Sequence, residues 1–246
     1  MFDLQRYEYF EDVNLGLTSH MPAGKRILDV GCGSGLLGEQ YRRHGNVVWG
    51  LDSAPEIEEP ASRRLDRFVR ADVTDAATVA QVLGDERFDV IVFADVLEHL
   101  YDPVGILGSY RRYLSPDGRI HVSVPNVAVW ATRLGLLAGR FAYAQTGTLD
   151  KTHIRFFTRA NVRRLFDAAG LELLELDLTP GLVRPFVPLV KRAMADGNGD
   201  DRRAIIDSPQ YRTYVERVYP IEYRIARLAP GLLAFQHIAI GKEKTP

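Results

Sequence analysis

One short stretch near the N-terminus, residues 26–35, constrains the fold more than any other part of the chain. Ile27, Leu28 and Val30 are apolar and predict the first strand of a buried parallel sheet. Three alternate glycines then interrupt the strand, before a helix predicted from about residue 36: Gly31, Gly33 and Gly35. An open α/β sheet binds a nucleotide-like ligand with such a turn, because glycine lets the backbone turn sharply and approach the ligand.

The same alternation of apolar runs and helical segments continues along the chain. Strands are predicted at 26–30, 47–52, 68–71, 88–93, 119–124, 171–178 and 232–241, and helices at about 36–44, 75–83, 103–113, 128–140 and 159–169. Thr74 and Thr158 are predicted helix N-caps, and residues 115–118 form a turn signal. Because the strands are continuous apolar runs, we predict an α/β, Rossmann-like fold whose mostly parallel sheet has helices on both faces.

Length and composition exclude several classes of protein. The 246 residues suit one domain with an insertion, and a formal net charge of -1 gives no electrostatic footprint for nucleic acid. The single cysteine cannot form an internal disulfide, which fits a reducing compartment. No apolar run of about 18 residues could span a bilayer, and the N-terminus lacks a signal-peptide pattern. We therefore expect a cytoplasmic protein with no membrane span and no nucleic-acid partner.

Two segments flank the predicted sheet within the single domain 1–246. Residues 1–24 mix aromatic and acidic side chains and are predicted to form an N-terminal helical cap over the ligand site. Residues 180–231 are proline-containing and are predicted to be a helical insertion that acts as a lid. Aromatic and basic side chains there could form the lid or, alternatively, a homodimer interface: Arg184, Phe186, Lys191, Tyr211, Tyr214, Tyr219 and Tyr223.

Two carboxylates help to define the ligand. Asp52 ends the second strand, 21 residues after Gly31, where it could accept hydrogen bonds from both hydroxyls of a ribose; alternatively, it only caps the next segment. Asp29 immediately precedes the glycine turn, and a carboxylate there would repel a phosphate but suit an amino group. The glycines alone do not exclude a dinucleotide, because Gly33, Gly35 and Gly38 also satisfy that pattern.

Four motifs in order carry a family resemblance. The segment 28–35 resembles motif I of the class I S-adenosylmethionine-dependent methyltransferases, and matches follow at 50–52, at 71–73 and at 88–100, which ends in Leu-Glu-His. The resemblance implies a seven-stranded sheet whose last strand is antiparallel and lies between the fifth and sixth. It also implies S-adenosylmethionine as cofactor, S-adenosylhomocysteine as product, and these cofactor-binding residues: Asp29, Gly31, Cys32, Gly33, Gly35, Asp52, Ser53, Asp72, Val73, Ala94 and Asp95.

The resemblance also implies a role for each position. Asp52 would hold the ribose hydroxyls, and Asp72 with Val73 would contact the adenine. Ala94 and Asp95, at the end of the fourth strand, would pass beside the methionine part near the sulfonium.

Candidates on the acceptor side are histidines, because a hydroxyl acceptor must lose a proton and a histidine titrates near neutral pH. His99 follows the fourth strand, and His153 lies in a loop similar to that of O-methyltransferases of glycan, natural-product and ubiquinone pathways. We predict both as catalytic, with His153 as the general base. The alternatives are that His99 starts a helix and that His153 and Arg155 brace the loop through hydrogen bonds. Predicted substrate-binding residues are Asn126, Trp130, Asp150, Lys151 and Arg155.

The sequence therefore predicts an enzyme that moves a methyl group to a hydroxyl of a small molecule, such as a sugar or a natural-product intermediate. A small-molecule N-methyltransferase and a non-catalytic cofactor-binding relative remain alternatives. No histidine, cysteine or carboxylate cluster has metal-ligand spacing in the sequence, so no metal site is predicted.

Overall fold

The computed structural model describes residues 14–183 and 213–244. Residues 1–13 of the predicted cap and residues 184–212 of the predicted insertion lie outside this part of the chain. Four of the lid candidates therefore lie outside the described residues: Arg184, Phe186, Lys191 and Tyr211.

One seven-stranded sheet forms the centre of the molecule. The strands are β1 (Arg26–Val30), β2 (Val47–Asp52), β3 (Arg67–Arg70), β4 (Phe88–Ala94), β5 (Leu114–Pro125), β6 (Leu171–Pro180) and β7 (Ala234–Glu243). Their order across the sheet is β3-β2-β1-β4-β5-β7-β6. Strands β1 to β5 pair in parallel, whereas β7 is antiparallel to both β5 and β6. The predicted fold class and the position of the antiparallel last strand are thus confirmed.

Short helices cover the sheet. They are α1 (Leu15–Thr18), α2 (Leu36–Arg43), α3 (Glu58–Arg64), α4 (Ala76–Leu83), α5 (Pro103–Ser109), α6 (Trp130–Leu137), α7 (Arg159–Ala168), α8 (Tyr219–Ala226) and α9 (Pro230–Leu233). The predicted helix at 103–113 is α-helical only to Ser109 and continues as a 3₁₀ turn over Tyr110–Tyr113. The helix predicted at 128–140 ends before Gly139, whose φ of 68° is a left-handed conformation that stops a helix.

One local prediction was wrong. Asp75, not Thr74, caps α4, because its carboxylate accepts from the amides of Ala77 and Thr78. The chain does turn at 115–118, but the turn lies inside β5 rather than before it. Asp117 has a φ of 63°, and a Cβ at Gly118 would lie only 2.8 Å from the carbonyl oxygen of Ser115. The register with β4 shifts between Phe88 and Val90, so β5 continues beyond the turn.

Both faces of the sheet are buried, as the continuous apolar strands require. On one face Ile27, Val48 and Val92 pack with Tyr41 of α2 and Leu65. The other face is a larger cluster of buried apolar side chains that includes Leu28, Leu51, Ile91, Phe93, Tyr110 and Phe166. None of the helices in 14–183 and 213–244 is long and apolar enough to cross a membrane.

The topology brings the candidate site residues to one edge. Strand β1 lies between β2 and β4 in the sheet. From β1 the chain continues to β2 on one side, and from β4 it continues to β5 on the other side. A crevice opens at such a switch point, outside the carboxyl ends of the strands, and ligands bind there. The glycine turn, Asp52, Asp72 and Asp95 all follow the carboxyl ends of these neighbouring strands.

A buried histidine lies in the middle of the antiparallel strand. His237 of β7 is fully buried, and neither ring nitrogen has a hydrogen-bond partner among the described residues. Burial lowers the pKa of His237 to about 4, and the nearby Arg159 acts in the same direction. The native protein therefore keeps this ring neutral at pH values where an unfolded chain would protonate it.

This histidine should make the fold sensitive to acid. Because the folded pKa lies below the unfolded value of 6.5, stability is lost as the pH falls from about 6.5 towards 4. We predict that His237→Leu lacks this loss. When the pH is lowered from 7.5 to 4, the unfolding free energy of the variant should therefore rise by roughly 3 kcal/mol relative to that of wild type. Urea unfolding at both pH values measures the difference. The exposed His44→Leu is the control, and parallel pH profiles for His237→Leu and wild type would contradict the assignment.

Candidate active site

The glycine turn is tied to the second strand by backbone hydrogen bonds. The amides of Gly31 and Cys32 both donate to the carbonyl of Leu51, at 2.7 and 3.2 Å. Gly31 has a φ of 70°, and a Cβ there would lie 2.6 Å from Cγ2 of Val96. A side chain at this position would therefore both strain the backbone and clash with the segment after β4. Position 31 of the turn therefore requires glycine.

Asp52 braces the same turn. Its buried carboxylate accepts from the amide of Gly33 at 3.0 Å through Oδ2 and from the amide of Ala54 at 3.1 Å through Oδ1. Asp52 therefore does hold the segment that follows β2, as the alternative proposed. It does not exclude a ribose contact, because each carboxylate oxygen can accept more than one hydrogen bond. Ser53, the next residue, is exposed.

Asp29 lies beneath the turn. It is 1% exposed, and within the described part of the chain neither carboxylate oxygen has a hydrogen-bond partner. Burial, and then the charge of Asp52, raise the pKa of Asp29 to about 7. Oδ2 lies 3.5 Å from the position that a Cβ of Gly38 would take, so the carboxyl faces α2. A buried acceptor left without a donor fits a ligand that brings an ammonium group to the turn.

Cys32 is a packed residue of the same turn. It is 8% exposed, and burial raises the pKa of its thiol, so the sulfur stays protonated. A Cβ at Gly50 would lie 2.7 Å from its Sγ, which shows how closely the thiol packs on β2. Its side chain is thus part of the wall behind the turn rather than a nucleophile.

The segment after β3 is held from two sides. Oδ1 of the exposed Asp72 accepts from the amide and the hydroxyl of Thr74, at 2.8 and 2.7 Å. The carbonyl of Val73 accepts from the hydroxyl of the buried Tyr110 at 3.0 Å. Val73 is half-buried against the core. The contacts with Thr74 use only Oδ1 of Asp72 and leave its second oxygen outside the turn. The hydrogen bond from Tyr110 fixes the position of Val73 beneath the turn.

Asp95 has an unusual backbone. It follows Ala94 at the end of β4 and has a φ of 53°, which is uncommon for a residue other than glycine. Nε2 of Gln236 donates to both oxygens of its carboxylate, at 2.8 and 2.7 Å, and the hydroxyl of Ser123 donates to Oδ1 at 3.1 Å. Strained residues held by their surroundings are concentrated at functional sites.

Three ionisable side chains meet next to this position: Glu98, His99 and His153. The rings of His99 and His153 are in edge-to-face contact, with centroids 4.9 Å apart. Nε2 of His153 lies 4.0 Å from Oε1 of Glu98, which is 1% exposed. Neither oxygen of Glu98 has a hydrogen-bond partner among the described residues, so the carboxyl faces the histidines without a donor.

The protonation of this cluster follows from its burial. Burial, and then the charge of Asp95, raise the pKa of Glu98 well above its ordinary value. Burial also lowers the pKa of His99 and of His153, and the neighbouring His99 lowers that of His153 further. Each ring has Nδ1 3.3 Å from a backbone carbonyl, that of Thr152 or Thr148. Nδ1 therefore carries the proton, and Nε2 is the basic nitrogen in both rings.

The same cluster has the geometry of a cation site. One ligand atom from each of Glu98, His99 and His153 lies within 4.8 Å of the others. Two imidazoles and a buried carboxylate form a donor set that divalent transition metals accept. Residue spacing does not reveal this donor set, because position 153 is 55 residues from Glu98. The backbone brings them together: the amides of Ile154 and Arg155 both donate to the carbonyl of Glu98, at 2.9 Å.

The other charged residues of this loop brace it. The carboxylate of the buried Asp150 accepts from the amide and hydroxyl of Thr152, each at 2.8 Å. The guanidinium of Arg155 donates twice to the carbonyl of Tyr101. Lys151 is half-buried beside them. These contacts agree with the bracing alternative for Arg155, and they shape the loop that presents His153.

Asn126 and Trp130, which the sequence predicts as acceptor-binding, make hydrogen bonds within the fold. Asn126 is fully buried, and its Nδ2 donates to the carbonyls of Ala234 at 2.9 Å and Gly231 at 3.3 Å. Nε1 of Trp130 donates to the carbonyl of Gly181 at 3.0 Å. Both side chains connect the end of β5 to the segments that flank β6 and β7. Their polar atoms are used in the fold, which a position after a strand does not reveal.

The seven-stranded sheet, with β7 antiparallel between β5 and β6, defines a Rossmann-like α/β domain, and comparison with known proteins agrees. A family model described as "Methyltransferase domain" matches residues 3–176. The chain belongs to this family, the class I S-adenosylmethionine-dependent methyltransferases, and the family cofactor is S-adenosylmethionine.

Relatives and solved structures refine this placement. The chain is 34% identical over 153 residues to a protein of Idiomarina loihiensis named "Ubiquinone biosynthesis O-methyltransferase", covering 61% of this chain and 62% of that relative. It thus spans less than two thirds of that relative's length. A protein of the same name from Azorhizobium caulinodans is 30% identical over 191 residues, which cover 77% of this chain and 74% of the relative. A SAM-dependent methyltransferase from Archaeoglobus fulgidus shares the fold, with a TM-score of 0.56, 19% identity, and coverage of 89% and 86%.

Removing the carboxylate of Asp52 should weaken cofactor binding. Hydrogen bonds to a charged group contribute about 1.5–3 kcal/mol, so we predict that Asp52→Ala lowers the affinity for S-adenosylmethionine by roughly 10- to 100-fold. Isothermal titration measures the affinity, and thermal unfolding measures how much the lost brace on Gly33 contributes. Glu56→Ala, which removes an exposed carboxylate of the following segment, is the matched control. Equal affinities for Asp52→Ala and wild type would exclude Asp52 from the cofactor site.

Proposed function

We propose that this chain transfers the methyl group of S-adenosylmethionine to a hydroxyl group of a small molecule, such as a sugar or a natural-product intermediate. The observation that carries the proposal is the cluster of Glu98, His99 and His153, which lies just beyond the strained Asp95 at the carboxyl end of β4. The relatives named O-methyltransferases support oxygen over nitrogen as the acceptor atom.

The cofactor is assigned to the edge formed by the first four strands. We assign it to Asp29, Gly31, Cys32, Gly33, Gly35, Asp52, Ser53, Asp72, Val73, Ala94 and Asp95. One observation supports a fit: the buried Asp29 carboxyl, beneath the glycine turn, lacks a donor among the described residues. When bound, the cofactor supplies a methyl group on a positively charged sulfur.

The chain's own task is to orient the acceptor and to take its proton. In this proposal Nε2 of His153 receives the proton of the acceptor hydroxyl, because Nδ1 is fixed as the protonated nitrogen by the carbonyl of Thr148. The lowered pKa of His153 keeps the ring neutral at neutral pH, which a base requires. Oε1 of the buried Glu98 lies 4.0 Å from this nitrogen. Because burial raises the pKa of Glu98, its carboxyl stabilises the imidazolium only after it has released its own proton.

The cluster also supports a metal-assisted form of the same reaction. A divalent cation held by Glu98, His99 and His153 would bind the acceptor oxygen and make its proton easier to remove. The two forms differ in one measurable respect. With a metal, chelation abolishes activity and added Mg²⁺, Mn²⁺ or Zn²⁺ restores it. With His153 acting alone as the base, chelation leaves the activity unchanged.

We further propose that residues 180–231 form a lid that selects the acceptor and that residues 1–24 cap the cofactor. Support for the lid comes from its described part, where Tyr219 and Tyr223 stack with ring centroids 6.4 Å apart. The hydroxyl of Tyr223 donates to Asp177 at 2.6 Å, and that of Tyr214 donates to the buried Glu222 at 2.7 Å. These contacts attach the segment after residue 213 to β6, and the same surface is the candidate homodimer interface.

Removing the imidazole of His153 should reduce the rate but not the affinity for the cofactor. We predict that His153→Ala lowers the methylation rate by about 10²-fold or more, the usual scale of general-base catalysis. S-Adenosylmethionine affinity, measured by isothermal titration, should stay within about 2-fold of wild type, a change below 0.5 kcal/mol. His44→Ala, on the exposed end of α2, controls for loss of any histidine. A wild-type rate for His153→Ala would remove this residue from the mechanism.

A further inference from the structure

The Asp95 carboxylate is held by a chain of hydrogen bonds that crosses four strands. Its backbone conformation, with a φ of 53°, does not by itself fix where the carboxylate points. Two donors to the carboxylate come from other strands of the described structure, Ser123 of β5 and Gln236 of β7. Gln236 is 7% exposed, so its amide cannot exchange these partners for water.

The orientation of the Gln236 amide is itself fixed. The hydroxyl of Thr179 on β6 donates to Oε1 of Gln236 at 3.0 Å, within a buried pair. Because a hydroxyl donating to the amide must meet its oxygen, the NH₂ group of Gln236 is turned towards Asp95. The amide therefore presents only donors to the carboxylate, at 2.8 and 2.7 Å. Thr179 and Asp95 therefore favour the same orientation of the amide.

The other end of the network reaches the N-terminal helix. Nδ2 of Asn14 donates to the hydroxyl of Ser123 at 3.0 Å, while its Oδ1 caps α1 by accepting from the amide of Leu17. Gly16 of α1 packs so closely on β7 that a Cβ there would lie 2.6 Å from Cγ1 of Ile238. The antiparallel strand thus supports both the carboxylate and the helix above it.

We propose that Gln236 is a positioning residue that acts through Asp95 and sets how strongly the site prefers S-adenosylmethionine over S-adenosylhomocysteine. This inference rests on the proposed placement of Asp95 beside the sulfonium. The cofactor carries a positive charge on its sulfur, and the product does not. A carboxylate held towards the sulfur attracts the positively charged S-adenosylmethionine more than S-adenosylhomocysteine, whose sulfur is neutral. A carboxylate that has lost its donors turns away from the ligand or is less available to it.

The test compares the two ligands in Gln236→Met, which keeps the length of the side chain and removes its donors. We expect the dissociation constant for S-adenosylmethionine to rise about 5- to 10-fold, as for the loss of a hydrogen bond to a charged group. That for S-adenosylhomocysteine should rise less than about 2-fold, because the neutral sulfur gains little from Asp95. Gln81→Met, which changes an exposed glutamine of α4, is the control.

A double-mutant cycle distinguishes action through Asp95 from a general effect on packing. Asp95→Asn is a suitable partner because asparagine tolerates a positive φ. In this background, Gln236→Met should leave the ratio of the two dissociation constants unchanged, since coupled residues are not additive. Thr179→Val should change the ratio of the two dissociation constants in the same direction as Gln236→Met, but by less. If Gln236→Met does not fold, Thr179→Val takes its place in the cycle.

The outcomes separate this inference from the proposed function. A Gln236→Met variant that weakens both ligands equally, or that shifts the ratio as much with Asp95→Asn as without it, overturns the positioning role. Wild-type protein that binds S-adenosylmethionine but methylates no hydroxyl contradicts the proposed function, while the ligand ratio still tests Gln236.

Discussion

The hydrogen bonds that tie the glycine turn to β2 are the constraint on which the rest of the site depends. The amides of Gly31 and Cys32 share the carbonyl of Leu51, and the amide of Gly33 is held by Asp52. Together they turn the chain sharply at the carboxyl end of β1, directly beside the point where β4 ends. The turn therefore leaves space for a ligand, while its polar groups are satisfied by the neighbouring strand rather than by water.

A second constraint joins the acceptor side to this edge. Glu98 is buried with no donor for its carboxyl among the described residues, and a buried carboxyl in that state costs free energy of folding. Its backbone carbonyl nevertheless receives the amides of Ile154 and Arg155, which fix the loop carrying His153. A fold that keeps such a group has a use for it, which supports a role for the cluster in handling a proton or a cation.

The sequence was informative where the signal was local. Continuous apolar runs predicted all seven strands, and the glycine turn and Asp52 lie at the carboxyl ends of β1 and β2, as predicted. Side-chain partners that come from distant strands could not be predicted in the same way. Glu98 meets His153 through two amides of a loop 55 residues away, and Asp95 is held by Gln236 of β7. Asn126 follows a strand as a ligand-binding residue would, yet its amide is used by Gly231 and Ala234.

The most direct test of the central claim is to follow the methyl group. The purified protein is incubated with S-adenosylmethionine carrying a ¹³C-labelled methyl group and with panels of sugar and natural-product hydroxyl and amine acceptors, with and without added divalent cation. Carbon NMR then distinguishes a methyl group on oxygen from one on nitrogen. We predict a labelled methyl ether and one S-adenosylhomocysteine for each methyl group transferred. A labelled methylamine, or bound cofactor that transfers its methyl group to no acceptor, would contradict it.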